Sequence, residues 1–272
     1  MYIYVFTNIH VGIATACLVF VSTVNSQETL LPYSPYFVFF STVLAYHFIR
    51  IFENCECTPE ALLSVIRKQP KEVLIVSILA LFGTLYFGFQ IGVRKFWIIL
   101  PAIFITLWYT IPLFKYKGEM ISLRNYPMIK MLSIAFVWAV LTVLFPLQES
   151  VSNSQVWLEF IQRFFLIMAL VIPFDIRDLR QDVTYSQTLP QKIGIFKSKI
   201  VGFQYLSLFI ALGFLKILLT KSTLIPELLI FMLSLFFIVK SKENQSKYYA
   251  AFWVESVPII WFGLLLIIKE IT

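Results

Sequence analysis

Charge is scarce in this sequence. Only 14% of its 272 residues are Asp, Glu, Lys or Arg, against 59% that are hydrophobic, and the mean hydropathy is +0.83. The scarcity excludes a water-soluble globular domain, because a chain of this length has too little interior to hide so much apolar surface, and lipid must solvate most of it. Cysteine is scarce as well: Cys17, Cys55 and Cys57 are an odd set without a disulfide framework, and Cys55-x-Cys57 lacks the second pair a zinc site needs, so all three read as free thiols. No Gly-, Ser- or Pro-rich linker and no low-complexity stretch interrupts the chain, so residues 1–272 are expected to form one polytopic membrane domain. No Lys or Arg precedes Arg50, which deprives the first apolar stretch of the basic flank of a signal peptide. A net charge of +7 is compatible with nucleic acid, but no soluble module of interleaved basic and aromatic residues exists to carry it, and nucleic acid is not expected as a partner.

What the chain does have is long apolar runs. Nine of them, near 4–24, 33–52, 72–90, 96–114, 129–147, 157–174, 198–219, 223–240 and 249–268, reach the ~17 to 25 residues that cross a bilayer as a helix. They show no alternation, and backbone groups in lipid must be satisfied internally, so helices are favoured over barrel strands. Of the 22 lysines and arginines, sixteen fall on the even-numbered connections and six on the other side. The positive-inside rule then places the N-terminus and the even-numbered connections in the cytoplasm, and the lopsided split supports nine crossings.

The stretch VIPFDIRDLRQDVTYSQTLPQKIG, residues 171–194, ends an apolar run and sets three aspartates beside two arginines. If the helix continues past a kink at Pro173, Asp175, Asp178 and Asp182 stand at i, i+3 and i+7 on one face, with Arg177 and Arg180 on the other side. Neither arginine is three or four positions from an aspartate, so no salt bridge of helical spacing relieves the acids. An oxygen-only face at the end of an apolar cavity suits Mg2+, which joins carboxylates to substrate phosphates. The plain alternative is a solvated loop whose charges stop the helix sliding into lipid. Pro190 and Gly194 read as loop punctuation.

FDIRDLRQD followed by QTLPQKIG resembles the second aspartate-rich motif of the UbiA family of intramembrane prenyltransferases, a DxxxD with an upstream Asp and a Thr-Leu-Pro and Gly tail. Asp178 and Asp182 match the DxxxD pair, Asp175 the upstream acid, and Thr188, Leu189, Pro190 and Gly194 the tail. WYTIPLFKYKGEMISLRNYPMIKMLSIAFVWA, residues 108–139, is similar to the family's Tyr-x-x-Pro connection with basic residues after it. Nine helices and cytoplasmic polar connections agree with the family over essentially the whole chain. The resemblance implies an all-α integral membrane protein with nine transmembrane helices around a central cavity. It implies transfer of an isoprenyl group from a polyprenyl diphosphate to a lipophilic acceptor in a multi-pass protein of a bacterial inner membrane. In that reading Asp175, Asp178 and Asp182 are catalytic, Asp178 and Asp182 hold Mg2+, and Arg50, Lys115, Lys117, Arg124, Tyr109 and His47 bind the isoprenoid diphosphate.

One family element is missing. An Asn followed by two aspartates should end the second helix, but AYHFIRIFENCECTPE, residues 45–60, contains no Asp. His47 stands in the place of the Asn, as either a hydrogen-bonding residue or a ligand. Tyr46, Arg50 and Glu53 share a helical face, and Glu53 or Glu56 is a substitute ligand. Arg50 suggests a fixed cation in place of a metal, leaving one Mg2+ or none. The alternative function is therefore a non-catalytic lipid-diphosphate binder or partner subunit. A small transporter is disfavoured, because the helix interiors carry almost no charge and no pair of interrupted helices is evident. CDP-alcohol phosphotransferases use membrane-edge aspartates too, but their Asp-Gly and Ala-Arg prelude is absent here.

Overall fold

The computed structural model describes residues 2–53, 70–111, 114–116, 119–121, 123, 126–147, 154–180, 188–220 and 223–271. The helices are α1 (Tyr2–Phe6), α2 (Ile9–Ser26), α3 (Ser34–Glu53), α4 (Lys71–Ile91), α5 (Phe96–Thr110), α6 (Pro127–Ala139), α7 (Ser154–Arg177), α8 (Leu189–Ile193), α9 (Ile195–Thr220), α10 (Ile225–Lys240) and α11 (Val257–Ile271). Each of the nine apolar stretches overlaps these helices, although 4–24 spans both α1 and α2 and 96–114 runs past the end of α5. Five segments are long and apolar enough to cross a membrane by length and composition: Ile9–Ser26, Lys71–Ile91, Ser154–Arg177, Ile195–Leu218 and Tyr249–Ile268. The chain is an all-α integral membrane protein.

Several ends have local causes. α5 stops at Thr110 because Ile111 precedes a proline and is extended, at φ −100° and ψ 130°. A two-stranded antiparallel ladder follows, β1 (Phe114–Tyr116) on β2 (Glu119–Ile121), with Lys115 opposite Met120. Pro127 starts α6 from its first turn, where a missing N–H costs nothing. α6 then widens into a π turn over Val140–Leu144, and a second π turn, Tyr249–Val254, precedes α11. α7 runs through Pro173 and tightens into a 3-10 turn at Asp178–Arg180. Pro190 and Gly194 are not loop punctuation: Pro190 sits in the first turn of α8, and Gly194 joins α8 to α9 at φ +82°.

Two helices form the interior. Two-thirds of α2 and of α7 (67% each) is buried, against 11% of α4. α4 accordingly shows Ile75, Phe82 and Phe89 to the surroundings, as a helix facing lipid must. One apolar cluster gathers α7, α9, α10 and α11 around Trp261, Phe209 and Ile172, and a second joins α2, α3, α5 and the first π turn around Phe37, Phe145 and Val140. α2 approaches α3 so closely at Gly12 that an added Cβ would lie 2.8 Å from the Val43 side chain.

The helix interiors are not free of charge, contrary to the sequence-based expectation. Glu159 and Arg163 on α7, Lys216 on α9 and Glu227 on α10 are all buried. Glu159 binds Arg163 at 2.7 Å and Lys216 at 3.2 Å, and Lys216 binds Glu227 at 2.8 Å. Asn25 donates to Glu159, Lys216 donates to the Gln162 side chain, and Arg163 donates to Leu18 O, Ser22 Oγ and Thr142 Oγ1 while lying 5.2 Å over the Trp261 ring. Two acids and two bases cancel, so the network crosses the bundle without net charge. Arg163 and Lys216, counted among connections by the positive-inside tally, are therefore structural members of the interior.

Two predictions follow from this packing. Lys216→Met leaves Glu159 with Arg163 but takes from Glu227 the cation it binds at 2.8 Å, and lowers stability by roughly 3–5 kcal/mol; thermal unfolding in detergent reads it, and an unchanged midpoint contradicts the network's role. Gly194→Ala meets no neighbouring atom but forces an L-residue to φ +82°, so it costs on the order of 1–3 kcal/mol in the same assay, from backbone strain alone.

Candidate functional site

One cavity of about 620 Å³ opens among α1, α3, α5, α6, α7 and the turn before α11. Its deep part is apolar, with Ile105, Val137, Trp138, Leu141, Ile167 and Leu170. Its other part carries Arg50 from α3, Tyr109 from α5, Lys130 from α6, Asp175 and Arg177 from the end of α7, Asp178 from the 3-10 turn, and Lys247 and Glu255 from the approach to α11. Four cations thus face three acids across this wall, among the described residues.

The acids are not left to a ligand alone. Asp175 is fully buried and its Oδ1 lies 3.1 Å from Lys130 Nζ, yet neither carboxylate oxygen has a hydrogen bond of good geometry. Asp178 is gripped by its neighbour: Arg177 Nε and a terminal nitrogen donate to its two oxygens at 2.7 and 3.1 Å. The expectation that the arginines leave the aspartates unrelieved fails here. It assumed helical spacing, but the backbone tightens at Asp178, and a long guanidinium at i reaches a carboxylate at i+1 where the helix ends. Arg177 consequently lies on the cavity wall with the aspartates and over the Phe174 ring at 5.3 Å, not on the opposite side.

The tail of the motif fixes this turn from below. The Gln191 side chain accepts from the Thr188 N–H at 2.6 Å and donates to Leu179 O at 3.0 Å, tying α8 to the 3-10 turn. Gln245 donates to Pro173 O at 2.9 Å, which fastens the α10–α11 connection to the last turns of α7. On the facing side, Arg50 donates to Phe6 O at 2.6 Å, and Lys247 lies 5.4 Å over the Phe6 ring, so α1 is clamped between two cations of the wall.

Arg50, Tyr109, Asp175 and Asp178, all singled out from sequence, meet at this cavity. His47 does not. It is buried, with Nε2 2.9 Å from Thr7 O and Nδ1 2.6 Å from Ser77 Oγ, and it ties α3 to α4 and to the α1–α2 turn. Both ring nitrogens are engaged, so its role is hydrogen bonding within the fold, because α3 turns it away from the face that carries Tyr46 and Arg50. Asp182, Lys117, Arg124, Glu56, the side chains of Lys115, Glu53 and Arg180, and Cys55 and Cys57 lie outside the described residues.

Sequence reasoning passed over Lys130, Lys247 and Glu255. Lys130 and Glu255 carried a usable signal, since each is an ionisable residue at the edge of or within an apolar run. Lys247 stands in an ordinary basic connection and carried none.

The fold has solved counterparts. A UbiA homologue from Aeropyrum pernix K1 superposes with a TM-score of 0.65 at 12% identity, over 95% of this chain and 98% of that one. A UbiA homologue from Archaeoglobus fulgidus, bound to GPP and Mg2+, gives 0.58 at 13% identity over 94% and 97%. A digeranylgeranylglyceryl phosphate synthase gives 0.57 at 16% over 96% and 95%. No family model and no curated protein matches the sequence. End to end, and despite so little shared sequence, the chain has the fold of the UbiA homologues.

Proposed function

We propose that the chain is a single-domain intramembrane prenyltransferase that moves an isoprenyl group from an isoprenyl diphosphate to a lipophilic acceptor. The observation that carries the reading is the two-part cavity, charged at one end by Arg50, Lys130, Arg177, Lys247, Asp175 and Asp178 and apolar at the other. A polyprenyl diphosphate has the same two parts. The Archaeoglobus homologues solved with GPP or DMAPP together with Mg2+ support it. The distribution of lysines and arginines supports nine crossings with the charged end facing the cytoplasm, and the membrane we assign is a bacterial inner membrane.

The residues present fit a divalent ion. Asp175 offers a buried carboxylate without a hydrogen bond, and Asp178 lies on the same wall. Among the described residues no group of three His, Cys, Asp or Glu could hold a metal, so phosphate oxygens would complete the coordination, with Asp182 as a further candidate ligand. When bound, Mg2+ supplies positive charge to the departing pyrophosphate. The rest falls to the protein. Lys130 and Arg177 stand where the leaving oxygens gain charge, Arg50 and Lys247 close the opposite side, and the apolar walls keep water from the allylic carbon. Trp138, Phe174 and Tyr109 offer ring faces to a developing carbocation.

The absence of Asp from residues 45–60 favours a second reading, a diphosphate-binding subunit without turnover. Incorporation of labelled geranylgeranyl diphosphate by membranes expressing the chain separates the two. The enzyme reading expects transfer that falls by about 10²- to 10³-fold in Asp178→Asn and in Lys130→Met. Undiminished transfer in both variants removes these residues from the mechanism, and donor binding with no transfer by the wild type supports the binding subunit. Arg50→Lys is expected to weaken donor binding by about tenfold, since a point charge replaces a planar fork.

A further inference from the structure

The diphosphate reading leaves one acid of the cavity idle. Glu255 lines the cavity, and its carboxylate has no hydrogen bond or ion pair with any described residue, whereas Asp175 and Asp178 each have a cation in contact. It shares the cavity wall with Arg177 and Tyr46, close enough to feel the guanidinium's charge without a contact to it. An acid without a partner in an apolar helical run is costly unless a ligand uses it.

The backbone holds it there deliberately. The N–H of Glu255 reaches Ala250 O, five residues back, at 3.2 Å, which makes the preceding turn wide. The carbonyl of Phe252 is fixed inside that turn by the Ser256 hydroxyl at 2.6 Å and by His10 Nε2 at 3.0 Å. His10 also stacks on the Phe252 ring and reaches Tyr4 OH at 2.8 Å through Nδ1. A wide turn rotates every following side chain relative to a regular helix, and this one delivers Glu255 to the cavity wall between Val254 and Pro258.

We infer that Glu255 is the acceptor site: its carboxylate accepts the hydrogen bond of a hydroxyl on a lipophilic acceptor and takes that proton during transfer. This rests on the prenyl-transfer reading. The bond between C1 of the isoprenyl group and the diphosphate oxygen breaks, and its electron pair leaves with pyrophosphate toward Lys130 and Arg177. The acceptor oxygen forms the new bond to C1 from its own lone pair, and its proton passes to Glu255, which becomes a neutral acid. A hydroxyl is chosen over an ammonium because a protonated amine has no free lone pair with which to form the new bond to C1. Tyr46 and Trp138 line the same cavity and supply flat apolar surface for the acceptor's ring or chain.

Two related ligands test it on the full chain in detergent: octylphenol and its methyl ether, in which a methyl group replaces the hydroxyl hydrogen, with the variants controlling for the added size. Farnesyl thiodiphosphate, an uncleaved donor mimic, is titrated in parallel. The wild type is expected to bind the phenol about tenfold tighter than the ether, the gain of one hydrogen bond to a charged acceptor. Glu255→Leu erases that preference and Glu255→Gln narrows it, while farnesyl thiodiphosphate binds all three proteins alike. Equal affinity for phenol and ether in the wild type overturns the assignment, as does a preference that survives in Glu255→Leu. Loss of thiodiphosphate binding in both variants overturns it too, because Glu255 then serves the donor or the fold. A wild type that ignores farnesyl thiodiphosphate defeats the donor reading instead, and the phenol comparison still decides Glu255.

Discussion

A charge moved from water into a bundle of apolar helices must be met by an opposite charge or by a dense set of hydrogen bonds. The chain solves this problem in two places and in two ways. Between α2, α7, α9 and α10, Glu159, Arg163, Lys216 and Glu227 close on one another, and Asn25, Ser22, Thr142 and Gln162 take up most of the remaining donors and acceptors. At the cavity, four cations stand with three acids among the described residues, and one of those acids, Glu255, has no ion pair or hydrogen bond with any of them. A closed network away from any cavity holds helices together, whereas charges that line a cavity stand where a ligand can reach them.

Both arrangements depend on α7. This helix carries Glu159 and Arg163 near its start and Asp175 and Arg177 at its end, so one buried element supports both clusters. Pro173 leaves it unbroken, and Gln245 binds the Pro173 carbonyl from outside. Such a pillar lets the acids sit at the membrane edge without a flexible loop setting their positions. The tail of the motif serves the same end through Gln191, which grips the turn that presents Asp178.

Much of this was legible in the sequence. Apolar run lengths placed the helices to within a few residues, because in lipid a helix is nearly the only answer to the backbone's hydrogen-bonding demand. Asp175 and Asp178 stood out because, with Asp182, they are spaced to share one helical face at the end of an apolar run. Side-chain direction was less accessible. His47 was assigned to the site by its place in a motif, but its orientation is set by Thr7 and Ser77, which are distant in sequence. Arg177 was assigned to the wrong face because helical spacing was extended past the residue where the helix tightens. Glu255 could be noticed as an ionisable residue within an apolar run, but its direction was not legible, because nothing in a string of letters marks the π turn that precedes it.

The balanced cluster also bears on how such a chain can change over generations. Replacing any one of Glu159, Arg163, Lys216 or Glu227 strands a charge in a dry place, while exchanging an acid and a base together for apolar residues strands none. Divergence at these four positions is therefore expected to proceed by paired steps, with each residue's tolerance set by the identity of the others. They form a heritable block on a part of the chain that touches no substrate.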